Sequence, residues 1–262
     1  MLKAEQPIGI FDSGIGGLTV ARAINQQLPA ESIIYFGDTA HTPWGSQSAS
    51  AIQHYASRIS QALIDHQCKI IVIACNTASA AAFDAVQKIV RNQALLFNVI
   101  DPVVEYIAQH HKNQTVGLIG TKQTIKSQSY DLKLKKQDPS IELRSLATPL
   151  LVPLIEEGFS DTTTTQGIIE HYLKNPTLDN ISALILGCTH YPLLLDKIKQ
   201  FTPEPIRIIS QGEYVARSLR DYLNRHPEMD ARCDKGGNCR FLTTESENKF
   251  EESASIFLGR QD

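Results

Sequence analysis

Two cysteines, Cys75 and Cys188, sit in the same kind of sequence. Each ends a short apolar run, Ile70-Ile71-Val72-Ile73-Ala74 before the first and Ala183-Leu184-Ile185-Leu186-Gly187 before the second. Small polar residues follow, Asn76-Thr77 in one case and Thr189-His190 in the other. Apolar runs this short read as strands buried on both faces. Each thiol then lies at the carboxyl end of a parallel strand, where open α/β sheets hold their ligands. A thiol becomes an acid–base group when its pKa, about 8.5 when free, is drawn toward neutrality by a helix N-terminus or a cation. The helix-compatible run from Ala78 to Val90 offers the first to Cys75, and His190 offers the second to Cys188. One thiol on each side of a small molecule removes a proton from one face and returns it to the other, which inverts a stereocentre.

Other groups suit the same small ligand. Asp12 and Asp38 can orient an ammonium group or tune a thiol, and Ser13, Asn76, Thr77 and Thr189 offer hydroxyls and amides to carboxylate oxygens. The glycines of Asp12-Ser13-Gly14-Ile15-Gly16-Gly17 permit a tight turn and close backbone approach. Their spacing is not that of a dinucleotide or P-loop fingerprint, and Asp12 repels phosphate. Its bland role is to cap the following helix. The polar loop Gly37 to Ser46 carries the only tryptophan, Trp44, as a pocket wall or an edge of the core. No residue set marks a nicotinamide or pyridoxal site. Two further readings stand beside a two-base isomerase. A metal-binding regulator would use Cys75, Cys188 and His190, in a spacing unusual for zinc. A passive small-molecule binder would simply bury both thiols, as unpaired cysteines often are.

The elements that must position these groups alternate along the chain. Strands are predicted at Ile8–Phe11, Ser32–Phe36, Leu95–Ile100, Thr115–Thr121, Ile141–Leu146, Pro205–Ile209 and Cys239–Thr243, besides the two thiol-bearing runs. Helices are predicted from Leu18 to Leu28, from Ser46 to His66, from Asp101-Pro102, through Lys174 after a polar loop Thr162 to Thr165, from a Ser210 cap to Arg225, and from Lys249 to Leu258. Alternation of this kind gives an α/β protein with mostly parallel sheets. Cys75 follows Asp12 by 63 residues and Cys188 follows Thr121 by 67, the spacing of a duplicated unit. Two similar domains, each a mostly parallel sheet flanked by helices, would face their strand ends across a cleft that holds the active site.

Composition agrees. A chain of 262 residues exceeds the roughly 150 expected of one domain. Its 42% hydrophobic and 20% charged residues are ordinary for a soluble globular protein, and a net charge of −3 gives no nucleic-acid footprint. The amino terminus has no signal-like apolar core, and no apolar run approaches the roughly 18 residues of a membrane span, so a cytoplasmic protein is expected. Five cysteines do not make a disulfide framework. Cys68 reads as a packing residue, and Cys233 and Cys239 as two thiols on a surface loop. A zinc site at that loop would need two more ligands, with His226 the only nearby candidate.

Five ordered motifs are more specific. Phe11-Asp12-Ser13-Gly14-Ile15-Gly16-Gly17, Gly37-Asp38-Thr39-Ala40, Ala74-Cys75-Asn76-Thr77-Ala78-Ser79-Ala80, Gly120-Thr121 with Thr124-Ile125, and Gly187-Cys188-Thr189-His190-Tyr191-Pro192-Leu193 resemble the glutamate racemases, nearly end to end. Phe257-Leu258-Gly259 resembles that family's ending. The resemblance implies interconversion of L- and D-glutamate without cofactor or metal, supplying D-glutamate for peptidoglycan. It implies that Cys75 exchanges the α-proton on the D face and Cys188 on the L face, assisted by Asp12 and His190. Asp38 and Glu156 match supporting acids, with Glu157 the alternative to Glu156. Substrate contacts fall on Asp12, Ser13, Trp44, Gly45, Asn76, Thr77, Thr121, Thr189 and His190. Residues 1–97 and 210–262 would form the first domain and 98–209 the second, in a homodimer. Aspartate and hydantoin racemases are more distantly similar. Some members of the resembled family respond to cell-wall precursors; no long extension precedes Ile8 to serve such regulation. The chain also departs from the pattern: His41 and Trp44 stand where Arg and Tyr are usual, Thr148 where Cys is frequent, and Ser210-Gln211 where Asp-Ser is common.

Overall fold

The computed structural model describes residues 6–245. The predicted helix from Lys249 to Leu258 and the Phe257-Leu258-Gly259 motif lie outside the described residues. Nine strands are described: β1 (Ile8–Asp12), β2 (Ile33–Gly37), β3 (Ile70–Ile73), β4 (Leu95–Asn98), β5 (Thr115–Gly120), β6 (Glu142–Ala147), β7 (Ala183–Gly187), β8 (Arg207–Ile209) and β9 (Cys239–Thr243). They form two sheets, ordered β4-β3-β1-β2-β9 and β6-β5-β7-β8. Every pairing is parallel. Read backwards, the second sheet runs β8-β7-β5-β6, which repeats β4-β3-β1-β2 strand for strand. The duplication seen in sequence is therefore a duplication of topology, and β9 is an addition to the edge of the first copy.

Burial explains why the thiol-bearing strands are fixed. Ile70, Ile71, Val72 and Ile73 of β3 are all fully buried, as are Ala183, Ile185 and Leu186 of β7. Full burial of such a side chain is worth about 1.5–3 kcal/mol, so displacing either strand end is costly. One core runs from Ile8, Ile10 and the helix Leu18–Gln27 into β7 and includes Cys188; Cys75 belongs to a separate core with Phe11, Trp44, Ile52 and Ile71. The helix Gln211–Arg225 packs on both the Leu18–Gln27 and Asp101–His110 helices, tying the two sheets together.

Several local expectations change. The helix after the Trp44 loop starts at Ala49, not Ser46, because Ser48 caps it by accepting the Ala51 N–H at 3.2 Å. Thr162 to Thr165 is the cap and first turn of the helix Thr163–Leu173, with the Thr162 hydroxyl accepting the Thr165 N–H at 3.2 Å. The Ala78–Val90 run is two helices, Asn76–Ala81 and Phe83–Val90, broken at Ala82. Ser210 stands at the cap position of the helix Gln211–Arg225 but makes no side-chain capping bond. Cys239 is exposed, but Cys233 is buried, its thiol lying 3.5 Å from the Met229 carbonyl and its backbone bridging Gln6 in parallel, so the two thiols do not share a surface loop. Among the described residues, no helix is long and apolar enough to cross a membrane.

Candidate active site

The carboxyl ends of the two sheets face one another across a cavity of about 220 Å³. Equivalent strand ends supply its lining. Ser13 follows β1, Trp44 and Gly45 follow β2, and Cys75, Asn76 and Thr77 follow β3. Thr121 follows β5, Thr148 follows β6, and Cys188, Thr189 and His190 follow β7. The volume falls below the roughly 300–1,000 Å³ of drug-sized sites, which suits a ligand the size of an amino acid. Cys75 and Cys188 thus meet in one cavity although they belong to different cores.

The two thiols have unlike neighbours. Cys75 caps the helix Asn76–Ala81, its Sγ accepting the Ala78 N–H at 3.4 Å and lying 3.6 Å from Ser13 Oγ. The helix N-terminus was expected to draw this thiol toward neutrality. Burial and the nearby Asp12 outweigh it and push the Cys75 pKa up to about 12. Cys188 Sγ lies 3.8 Å from His190 Nδ1, and His190 Nε2 lies 3.0 Å from Glu156 Oε1. Burial opposes a charge on His190, but the Cys188 sulfur and the Glu156 carboxylate prevail and raise its pKa to about 10. Both ring nitrogens thus face an acceptor, Nδ1 the sulfur and Nε2 the carboxylate, an arrangement that favours the protonated ring. Glu156 rather than its exposed neighbour Glu157 makes this contact.

Neither expected aspartate lines the cavity. Asp12 is fully buried and accepts the Gly14 N–H at 3.0 Å and the Thr189 hydroxyl at 3.4 Å. Burial raises its pKa, against the pull of the His190 cation and of the Gly14 and Gly17 N–H groups. Its links to the cavity are the Thr189 hydroxyl that donates to it and the Cys75 thiol that its charge acts on. Asp38 lies behind the Trp44 loop and accepts from Trp44 Nε1 at 3.2 Å. Trp44 itself is fully buried, its indole packed in the Cys75 core rather than laid open to a ligand. The remaining expected residues, Ser13, Gly45, Asn76, Thr77, Thr121 and Thr189, all border the cavity.

Contacts between the two halves hold this lining in place. Thr77 reaches across the cleft to Thr121 at 3.0 Å and Thr124 at 3.4 Å, and Thr121 meets Thr124 at 2.9 Å. Asn76 Oδ1 accepts the Tyr130 hydroxyl at 2.7 Å and Gln211 Nε2 at 3.4 Å, and Gln211 also donates to the Leu186 carbonyl. The glycine-rich turn serves the same end. A Cβ on Gly16 would lie 2.4 Å from His190 Nδ1 and 2.5 Å from Thr189 Oγ1; one on Gly17 would lie 2.5 Å from Asp12 Cβ. Gly16 makes room for the second half, and Gly17 for the close packing of the turn on Asp12, Tyr35 and Ala74.

Sequence reasoning missed part of the lining. Thr148 appeared only as a departure, yet it borders the cavity and its hydroxyl lies 2.6 Å from Tyr191 Oη. Its place after β6, the counterpart of β2 and the Trp44 loop, was the available signal. Val152 and Pro153 of the helix Leu151–Glu156, and the exposed Lys122, carried none. Among the described residues, no three histidines, cysteines or carboxylates are arranged to hold a metal ion, at the Cys233 turn or elsewhere.

The sequence pattern of the Asp/Glu/Hydantoin racemase family matches residues 8–219. A glutamate racemase of Chlorobaculum parvum is 38% identical over 260 residues, covering 99% of this chain and 95% of the relative. The crystal structure of glutamate racemase from Francisella tularensis in complex with D-glutamate superposes with a TM-score of 0.89 at 37% identity, over 98% of this chain and 95% of that one. A glutamate racemase isoform of Bacillus anthracis gives 0.90 at 36% identity, over 98% and 96%. A Picrophilus torridus aspartate racemase, at 17% identity and a TM-score of 0.61, shares the fold. With relatives this similar along nearly its whole length, the chain belongs to the Asp/Glu/Hydantoin racemase family.

Proposed function

We propose that this protein is a glutamate racemase that works by two-thiol proton transfer. The observation that carries the reading is the pair Cys75 and Cys188 bordering one amino-acid-sized cavity from equivalent strand ends. The family relatives named as glutamate racemases, and the Francisella tularensis complex with D-glutamate, support the substrate.

An imidazolium within reach of a sulfur favours the thiolate. His190 lies against the Cys188 sulfur, and Cys188 takes the role of base toward L-glutamate that the family resemblance implies. Its sulfur takes the α-proton, and the C–H electron pair stays on the α-carbon beside the carboxylate. The Cys75 thiol, kept protonated by burial, gives its proton to the opposite face and becomes the thiolate. D-glutamate leaves, and the reverse reaction begins from this second state. Ser13, Asn76, Thr77, Thr121 and Thr189 offer hydroxyl and amide groups to the substrate's polar ends from both halves. Glu156 holds His190 in orientation, and Asp12 acts on Cys75 by its charge and on the substrate side through Thr189.

The same reading makes the protein a cytoplasmic homodimer that feeds D-glutamate to peptidoglycan synthesis, as the family resemblance implies. It treats residues 98–209 as an inserted second domain, supported by the separate β5–β8 sheet and by the return of β9 to the first sheet. The deciding experiment is α-proton exchange in D₂O with L-glutamate and with L-aspartate, followed by NMR and chiral separation. Exchange with glutamate, accompanied by racemisation and at least about 10²-fold slower in Cys75→Ser and Cys188→Ser, is expected. Faster exchange with aspartate would transfer the assignment to an aspartate racemase, and exchange with neither would leave a passive binding protein.

A further inference from the structure

The carboxylate of Asp38 gathers three donors. Its Oδ1 accepts from His41 Nδ1 at 2.7 Å and from the Thr244 hydroxyl at 2.9 Å, and its Oδ2 accepts from Trp44 Nε1 at 3.2 Å. Asp38 is only 2% exposed and does not border the cavity. The segment it grips does border it: Thr42, Pro43, Trp44, Gly45 and Ser46 form one wall. The grip is braced on both sides. His41 stacks on Tyr55 with ring centroids 4.4 Å apart, and Trp44 lies 5.8 Å from the same ring. The Thr244 hydroxyl that donates to Asp38 also accepts the Ala40 N–H at 3.0 Å, and Thr39 meets Thr243 at 2.7 Å. The wall is thus pinned to the end of β9.

Opposite the wall stands Thr121. A Cβ on Gly45 would lie 2.8 Å from it, so the wall already touches the second half and a small shift changes the cavity. The two residues by which this loop departs from the resembled pattern, His41 and Trp44, are two of the three donors. The departures are therefore matched to one another through one carboxylate rather than independent.

We infer that Asp38 is a positioning residue: through the Trp44 indole it sets the cavity wall, and so governs how tightly glutamate is held, without taking part in proton transfer. The inference rests on the proposed racemase reading for its substrate, and on geometry alone for the clasp. Trp44 is the only tryptophan in the chain, so its emission reports the wall directly.

The test uses Asp38→Asn and Trp44→Phe in the full chain. Asparagine turns an N–H₂ toward at least one of the three donors, and phenylalanine keeps a ring but removes the indole N–H. Each is expected to raise KM for glutamate about tenfold, the size of one lost hydrogen bond to a charged group, with kcat within about threefold of wild type. In Asp38→Asn the Trp44 emission shifts to the red in the free protein and returns toward the wild-type maximum at saturating D-glutamate, with a midpoint that tracks the raised KM. A fall in kcat at unchanged KM would overturn the inference and make Asp38 a participant in the chemistry. Unchanged kinetics and emission would overturn it too, because the clasp would not set the wall. Should Asp38→Asn not fold, Trp44→Phe decides by the same KM and kcat split. Absence of any exchange by the wild-type protein would instead overturn the racemase reading, and the emission shift of Asp38→Asn would still report the clasp.

Discussion

Gly16→Ala tests the idea that His190 is held by close packing between the two halves. The added Cβ would lie 2.4 Å from His190 Nδ1 and 2.5 Å from its Cε1 and from Thr189 Oγ1. Ordinary contact begins near 3.4 Å, so the ring must retreat by about 1 Å or the halves must part. His190 has nowhere to retreat without loss. It sits 3.8 Å from the Cys188 sulfur on one side and 3.0 Å from Glu156 on the other, and a 1 Å move breaks at least one of these. Overpacking of this kind costs about 1–3 kcal/mol of stability. A 1 Å error in a catalytic group costs about 10²-fold in rate.

The equilibrium between enantiomers is fixed, so kcat/KM must fall by the same factor from either side, and steady-state rates alone cannot say which thiol is impaired. Isotope effects can. If the Cys188 step has become the slower one, α-deuterated L-glutamate shows a larger primary effect than with wild type, and α-deuterated D-glutamate a smaller one. Gly167→Ala is the control. Gly167 lies inside the helix Thr163–Leu173 with open space where its Cβ would be, so alanine there should stabilise by about 0.5–1 kcal/mol. Wild-type kcat/KM and wild-type isotope effects in a folded Gly16→Ala protein would refute the reasoning.

Asp12→Asn should stabilise the protein while slowing it. Burial holds the Asp12 carboxyl above its ordinary value of 3.8, so ionising it weighs against the fold. That burden is absent below the unfolded value, grows as the pH rises, and is complete above the folded one. Asparagine keeps an acceptor for the Gly14 N–H and sheds the charge, so thermal unfolding at pH 8 should show a gain of about 1 kcal/mol that vanishes toward pH 4. Thiol labelling should separate the remaining cysteines. Cys239 is exposed and reacts first with a small maleimide at pH 8. Burial pushes Cys68 to about 12 and Cys233 to about 11, so both should label only on unfolding, as mass spectrometry of the peptides would read. Native-state labelling of Cys233 at the rate of Cys239 would contradict its burial.

The repeat was legible because it rests on local signals. An apolar run of four or five residues ending in Cys can be seen without knowing what packs on it, and β3 and β7 lie where those runs lie. Helix starts were less legible at Ser46 and Thr162, where several hydroxyl residues compete to cap and only the surrounding packing selects one. The direction of a side chain was not legible at all. Trp44 borders the cavity in sequence order, yet its indole turns to Asp38 because a buried N–H needs an acceptor. Asp12 and Asp38 read as groups that orient an ammonium or tune a thiol; their burial was not legible, because a donor to each comes from a distant part of the chain. Gly16 read as a turn residue, and the reason for it lies in His190, far along the chain.

A duplicated unit supplies two thiols at matching places, but matching places alone do not invert a carbon. If both sulfurs had the same surroundings, the one proton they share would rest on either alike, and neither thiol would be favoured as the starting base. The surroundings differ because the residues after each Cys differ. Asn76 and Thr77 leave Cys75 with helix N–H groups and the field of Asp12, and burial keeps it a thiol. Thr189 and His190 bring Cys188 a cation, and Glu156, from a helix with no counterpart between β2 and β3, keeps that cation charged. Under the proposed function the symmetry of the fold thus provides the two directions of approach, and the asymmetry of a few side chains decides which sulfur begins as the base.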